Sequence, residues 1–255
     1  MGTSSIFNGR TDKNALLPDD FDIEENTNTD QFEVVKWQTV KADFSKYINS
    51  GGRKGSVRHI AKQYVKAAGG TNKLVAQSTS GIRTGVNFGT FFNSIYENGV
   101  NITLYNFGIK YANLSVKEIF SRLIDAISPS ANTKEDVVAR KALVDALSEV
   151  YDYIEKNDLN VECLDHMPKD LMNTALRNYI SSYIWITMMK DLDSRLEKYI
   201  SNAQNAASVE REFKELIAGI VDVQFKSQGD IINKQVGVMI KDLYTKCLKV
   251  LEGII

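Results

Sequence analysis

The first residue in this sequence that could take part in chemistry is Gly2. Glycine is small enough to permit removal of Met1, which would leave a free α-amine on an unhindered carbon. An α-amine has a pKa of about 7.7–8.0, against about 10.4 for lysine, so roughly a tenth of it is unprotonated and nucleophilic at pH 7. Myristoylation of this amine is not expected, because that pattern requires Ser or Thr at position 6 and this chain has Ile6.

Cysteine and histidine offer little further chemistry. Cys163 and His166 lie close in the sequence, but the cysteine and histidine of a catalytic pair meet in space and are rarely neighbours along the chain. The other residues of these types are His59 and Cys247, and the four together cannot form a zinc site of the usual spacing. We therefore expect no catalytic residue, no metal, no cofactor and no enzymatic activity. The small number of cysteines favours a reducing, cytoplasmic location.

Positive charge is concentrated in one stretch of the chain. Between Phe44 and Tyr96 there are eight Lys and Arg residues and no Asp or Glu, although the whole chain has a net charge of −1. Such a patch serves as an interaction surface rather than a fold signal. The chain's own acidic tail or an acidic protein partner is favoured over nucleic acid, because aromatic residues interleave poorly with the charges and the pI is about 6.2. The candidate interaction face consists of Arg53, Lys54, Arg58, Lys62, Lys66 and Arg83.

A helix is expected to position the centre of this face. Ser56 is a suitable N-cap, apolar residues follow at helical spacing, and glycines at 69 and 70 end the pattern. Arg58, Lys62 and Lys66 are then spaced by four residues and share one face. The next helix carries glycines at 81, 85 and 89, which favour close packing over a ligand loop, and Gly99 is expected to end it.

The remaining sequence predicts further helices. Ser115 and Glu118 form a capping-box pattern, Asn132 to Glu135 begins a longer helix, and Pro168 begins the next, whose apolar stretch around Trp185 is expected to be central. No strand alternation of useful length is present. The longest apolar run is far shorter than the roughly 20 residues of a membrane-spanning helix, so no membrane segment is expected. The predicted fold is an all-α, multi-helix globular domain.

Residues 1–31 are expected to be a mobile, acidic tail. The first 43 residues contain nine acids and four bases, and the apolar content of the tail is too low to offset the entropy of ordering it. Leu16, Leu17 and Pro18 form a compact apolar group within this polar segment. The helical domain is expected to cover residues 32–255, with possible sub-units at 32–128 and 132–255.

Several short stretches of this chain match those of a known family in their residues and in their order. They are MGTSS at the start, LLP at 16–18, Trp37, YVKAAGG at 64–70, SGIRTGVNFGTFF at 80–92, and Ala139 followed by Arg140. On these residues the chain resembles the QatB family, a component of the bacterial Qat anti-phage defence operon. The acidic stretch at 19–25 departs from that pattern, and none of the matching motifs is a catalytic signature.

The resemblance implies three companion proteins: an ATPase, a QueC-like (QatC-like) protein and a TatD-like nuclease. Enzymes of the QueC type use ATP to activate a 7-deazaguanine carboxylate for attack by an amine, normally ammonia. A hypothesis follows: if the tail enters such a partner, the Gly2 amine could replace ammonia and become amide-linked to the deazapurine. Thr3, Ser4 and Ser5, with the Leu16 to Pro18 group, would enter this partner while the basic face docks it.

Two other functions fit the same residues. The basic face could bind DNA or RNA and deliver it to the nuclease, in which case binding would depend steeply on salt. The chain could also be a purely structural scaffold, for which residues 2–10 would be dispensable.

Overall fold

The structure is a computed structural model that describes residues 35–128, 131–158, 160–198, 203–228 and 235–254. The residues predicted to form the tail lie outside these ranges. The described helices are α1 (Trp37–Asn49), α2 (Val57–Ala67), α3 (Gly70–Gln77), α4 (Thr79–Asn106), α5 (Val116–Ile127), α6 (Lys134–Lys156), a 3-10 helix (Val161–His166), α7 (Lys169–Lys198), α8 (Ala203–Gln228) and α9 (Val236–Glu252).

The all-α prediction is confirmed, since the described residues contain helices and no β-strand. Two helices hold the bundle together. Helix α7 packs against α1, α4, α6 and α8, and α9 packs against α2, α3, α4 and α8. Within the described ranges, no helix combines the length and the hydropathy that crossing a bilayer requires.

Aromatic residues of α4, α7 and α9 form the centre of the core. Tyr179 and Tyr183 of α7 stack with their ring centroids 6.2 Å apart, and Tyr244 of α9 lies 5.5 Å from Tyr183. Phe88 of α4 meets Tyr179 edge-on. Trp185 is also buried, as its apolar surroundings in the sequence predict. The core therefore contains phenolic hydroxyls, and each of these must find a hydrogen-bond partner.

The predicted helix starts are largely confirmed. The Ser56 hydroxyl accepts a hydrogen bond from the His59 N–H, and Ser115 and Glu118 form the reciprocal capping box. Helix α6 differs from the prediction, because its capping box joins Thr133 to Asp136. Glu135 therefore takes no part in capping its own helix, and it bonds elsewhere.

Glycines in α4 allow close approach of α7, as predicted. Gly81 faces the ring of Tyr183 and Gly85 faces that of Tyr179, both too closely for any side chain to fit without movement. The prediction that Gly99 ends the helix is only half right. Gly99 breaks the helix with φ 80° and ψ 164°, but helical structure resumes at Val100, whose N–H is accepted by Asp165 from the 3-10 helix.

Candidate functional site

The basic face predicted from the sequence lies mainly on α2 and the turn before it. Arg58, Lys62 and Lys66 lie one turn apart on α2, away from its buried side. Arg53 and Lys54 are exposed in the turn between α1 and α2. Among the described residues, no carboxylate lies within 4.0 Å of the charged groups of these five side chains. Their charges are therefore available to a partner of opposite charge.

Specific bonds hold the turn that carries Arg53 and Lys54. The Tyr47 hydroxyl donates to Glu212 of α8, and burial together with this carboxylate raises the pKa of Tyr47 to about 12. Ser50 bonds both residues of the turn: its carbonyl accepts from Arg53 Nε at 3.0 Å, and its hydroxyl accepts from the Lys54 N–H at 2.9 Å. The turn is thus attached to α8 through Tyr47 rather than held by α1 and α2 alone.

Three of the six predicted basic residues have local contacts. The Lys62 ammonium lies 3.0 Å from the position that a Cβ on Gly253 would occupy, beside the last turn of α9. The carbonyls at a helix C-terminus attract positive charge, so this position is favourable for the Lys62 ammonium. Arg83 lies on α4, and its guanidinium is 4.0 Å from Asp136 of α6. The third is Arg53, whose Nε donates to the Ser50 carbonyl. Lys54, Arg58 and Lys66 are the cations without such a contact.

Among the described residues, no hydrogen bond joins Cys163 to His166. Both belong to the 3-10 helix, where His166 is exposed and Cys163 is half-buried, and burial raises the pKa of the Cys163 thiol. A raised pKa disfavours the thiolate that a nucleophile requires. Cys247 is buried in α9. No group of three potential metal ligands occurs among the residues that the structure describes.

The predicted tail residues are Gly2, Thr3, Ser4, Ser5, Leu16, Leu17 and Pro18, and all of them lie outside the described residues. Their proposed role in modification and partner binding therefore stays a prediction.

A small cavity was not predicted from the sequence. Its volume is about 210 Å³, it is partly open to solvent, and residues of α1, α2, α3, α6 and α7 line it. Aromatic, polar and charged side chains line it together. These include Trp37, Tyr64, Lys73, Glu135, Tyr183, Thr187, Lys190 and Asp191. The sequence separates these residues by up to 154 positions, so no local motif could indicate that they meet.

A hydrogen-bond network forms one wall of the cavity. One Glu135 oxygen accepts from the Gly81 N–H at 2.7 Å and from the Tyr183 hydroxyl at 2.8 Å, and the other accepts from the Ser80 N–H at 3.0 Å. Glu135 thereby supplies the acceptors that the start of α4 lacks locally, and its negative charge is favourable at a helix N-terminus. The charge of Glu135 is consequently well compensated.

The polar groups of the opposite wall have fewer hydrogen-bond partners. Asp191 accepts one hydrogen bond, from the Tyr64 hydroxyl at 2.9 Å, and burial followed by this carboxylate raises the pKa of Tyr64. Thr187 lies one turn earlier on α7, and its buried hydroxyl oxygen has no hydrogen-bond partner among the described residues. This wall therefore has unused capacity for hydrogen bonds.

The fold and these surfaces define a class of protein: an all-helical protein with a cationic face and a small polar cavity. Residues 69–251 match the family model described as Qat anti-phage system associated protein QatB. The chain therefore belongs to the QatB family and is a component of an anti-phage defence system. No curated protein and no solved structure shows a significant match to this chain.

The matched range covers much of the cavity and little of the basic face. Glu135, Tyr183, Thr187 and Asp191 lie within residues 69–251, whereas the basic residues of α2 precede them.

Proposed function

We propose that this protein is a non-enzymatic cytoplasmic adaptor of the Qat system whose own Gly2 α-amine is the substrate of a QueC-like partner. The partner would use ATP to activate a 7-deazaguanine carboxylate. The Gly2 nitrogen would attack that carbonyl carbon and lose a proton, and the activating group would leave as the amide bond forms. Thr3, Ser4 and Ser5 would follow the amine into the partner.

The observation that supports docking is the set of cations without carboxylate partners on and before α2. Arg58 and Lys66 project from a helix whose opposite side is buried in the core, so their positions are fixed by the fold. Complementary charge accelerates association and orients the partners. A docked domain would also keep the Gly2 amine near the partner at an effective concentration of order millimolar.

The first experiment is intact-mass and N-terminal peptide mass spectrometry of the protein expressed with and without the QueC-like partner. We expect Met1 to be removed and an adduct to appear on Gly2 only when the active partner is present. A plain Gly2 terminus in both samples, with the partner shown to be active on another amine, would contradict the proposal.

Charge reversal tests the docking step within the same experiment. The variant with Arg58→Glu and Lys66→Glu should bind the partner at least about tenfold more weakly and carry less of the adduct. The reason is that its new carboxylates would face the acidic surface of the partner. Lys62 is left unchanged because its ammonium lies beside the C-terminus of α9. The matched control has Lys117→Glu and Lys241→Glu, two exposed cations without an ion pair in the described residues, and it should behave like the wild type.

The same variants separate the second candidate function, delivery of nucleic acid. If the wild type binds labelled DNA or RNA and the Arg58 and Lys66 reversals weaken that binding while the Gly2 adduct persists, the basic face serves nucleic acid. In that case the slope of log association constant against log salt should fall by about 2 in the variant.

A further inference from the structure

We infer that the 210 Å³ cavity is a binding site for a guanidinium group on an aliphatic stem, as in arginine. This inference concerns a different part of the molecule from the basic face and does not depend on modification of Gly2.

The acceptors for the guanidinium are Asp191 and Thr187. They lie four residues apart on α7 and therefore share one helix face, where both line the cavity. Asp191 uses only one of its oxygens, for the Tyr64 hydroxyl, and the buried Thr187 hydroxyl oxygen has no partner in the described part of the chain. A guanidinium carries five N–H donors in a planar fork that matches a carboxylate, so it can bind the Asp191 oxygen that is not used for Tyr64. A rotation of the Thr187 side chain would then present its buried hydroxyl as a second acceptor.

Aromatic and apolar walls suit the rest of such a ligand. The rings of Trp37 and Tyr64 stand nearly perpendicular, at 74°, with their centroids 5.5 Å apart, and both line the cavity. Guanidinium groups stack on aromatic faces, and the side chains of Ala67, Ala68 and Leu74 can contact the methylene groups of the stem. The volume is below the roughly 300–1,000 Å³ of pockets for drug-sized ligands, so one amino acid or one side chain is the appropriate size.

Two lysines also line the cavity, and they indicate that the ligand carries a carboxylate as well as a guanidinium. Lys73 and Lys190 are exposed, and no carboxylate of the described residues lies within 4.0 Å of either ammonium. They would repel a bare cation at a distance but attract a carboxylate attached to it. The ligand is therefore an arginine whose guanidinium lies near a carboxylate, either free arginine or an arginine beside an acidic residue in a polypeptide.

Two-dimensional NMR of the indole N–H groups can detect this binding directly. The chain has two tryptophans: Trp37 lines the cavity, and Trp185 packs on Phe213 away from it. Titration with L-arginine should move the Trp37 signal in a saturable manner, with a Kd of order millimolar for a ligand of this size, and should leave Trp185 in place. L-citrulline is the matched probe, because it keeps the carboxylate and the shape but lacks the positive charge.

Two substitutions test the assigned acceptors. Asp191→Asn keeps an oxygen for Tyr64 but removes the charge, and it should weaken arginine binding about ten- to a hundredfold. Thr187→Val removes only the hydroxyl and should weaken binding by a smaller factor. The control Asp145→Asn removes an exposed carboxylate on α6 and should leave binding unchanged. Preserved dispersion of the amide signals shows that each variant is folded.

The outcomes are distinct. Equal responses to arginine and citrulline would overturn the inference and indicate an anion site at Lys73 and Lys190. A Trp37 signal that moves with neither free arginine nor a blocked Asp-Arg-Asp peptide, each at about ten times the expected Kd, would also overturn it, as would unchanged binding by the Asp191→Asn variant. If free arginine binds and a blocked Asp-Arg-Asp peptide does not, the ligand is the amino acid. The reverse result identifies an arginine side chain of another polypeptide.

Discussion

At Gly81, the Cβ of any other residue would lie 2.0 Å from Cζ of Tyr183 and within 2.5 Å of two further ring atoms. The Tyr183 ring cannot move away easily, because its hydroxyl donates to Glu135 and its faces contact Tyr179 and Tyr244. The Gly81 carbonyl in turn accepts from the Tyr179 hydroxyl at 2.6 Å. One absent side chain thus permits both the packing of α4 on α7 and the network beside the cavity.

Gly81→Ala should therefore destabilise the protein by about 1–3 kcal/mol, because the core must shift to admit one methyl group. The measurement is the free energy of unfolding in urea, compared between variant and wild type. Gly219→Ala is the control: Gly219 lies within α8, and no atom lies within 4 Å of its hypothetical Cβ. That variant should gain about 0.5–1 kcal/mol from helix propensity. Equal effects of the two changes would show that the contact with Tyr183 imposes no constraint.

At the scale of the element, adjacent acids of α6 cap different helices. Asp136 accepts from the Thr133 N–H at 2.8 Å and completes the capping box of α6, whereas Glu135 turns to the start of α4. Hydrogen bonds from the side chain of Ser80 and from the side chain and N–H of Thr133 lower the pKa of Asp136 from 3.8 to about 2. The start of α6 is therefore stabilised by the ionised form of Asp136.

Asp136→Asn should lower the stability of the protein at neutral pH. It should also make the stability less dependent on pH in the acidic range. Because the pKa is lower in the folded state, the stabilisation is fully present above about pH 4 and is lost as the pH falls toward 2. Urea unfolding at several pH values should therefore show a wild-type advantage that shrinks across this range. A difference in stability between wild type and variant that stays constant with pH would contradict the lowered pKa of Asp136. A double-mutant cycle with Thr133→Ala that shows a coupling energy would locate the effect in the capping box.

Capping signals and apolar periodicity in the sequence were sufficient to predict most of the helices. Ser56, Ser115 and the buried Trp185 lie where the sequence predicts, because each prediction depends on neighbours within a few positions. The cavity could not be predicted, since Trp37 and Asp191 meet only after α1 packs on α7. The resumption of α4 after Gly99 was missed for the same reason: its cap is Asp165, from a distant segment.

At the scale of the whole molecule, α9 joins parts of the chain that lie far apart in sequence. It packs on α2, α3, α4 and α8, and its last residue, Glu252, accepts from both the N–H and the hydroxyl of Thr71, at 3.0 and 2.6 Å. Thr71 is buried, so the loss of this acceptor would leave two polar groups unsatisfied.

Glu252→Ala should accordingly lower the free energy of unfolding by about 1–3 kcal/mol. Glu155→Ala provides the comparison, because Glu155 is an exposed helical residue without a side-chain bond in the described part of the chain, and it should change stability by less than about 0.5 kcal/mol. Both values come from urea denaturation at one pH. If the two variants are equally stable, the bonds to Thr71 make no net contribution.

The position of α9 also has a consequence for the order in which the protein can fold during synthesis. The apolar sides of α2, α3 and α4 leave the ribosome well before the helix that covers them. At about 5–20 residues per second, the delay is on the order of 10 s. Throughout that interval the nascent chain exposes surface that chaperones bind, and the bundle can close only when translation has passed α9.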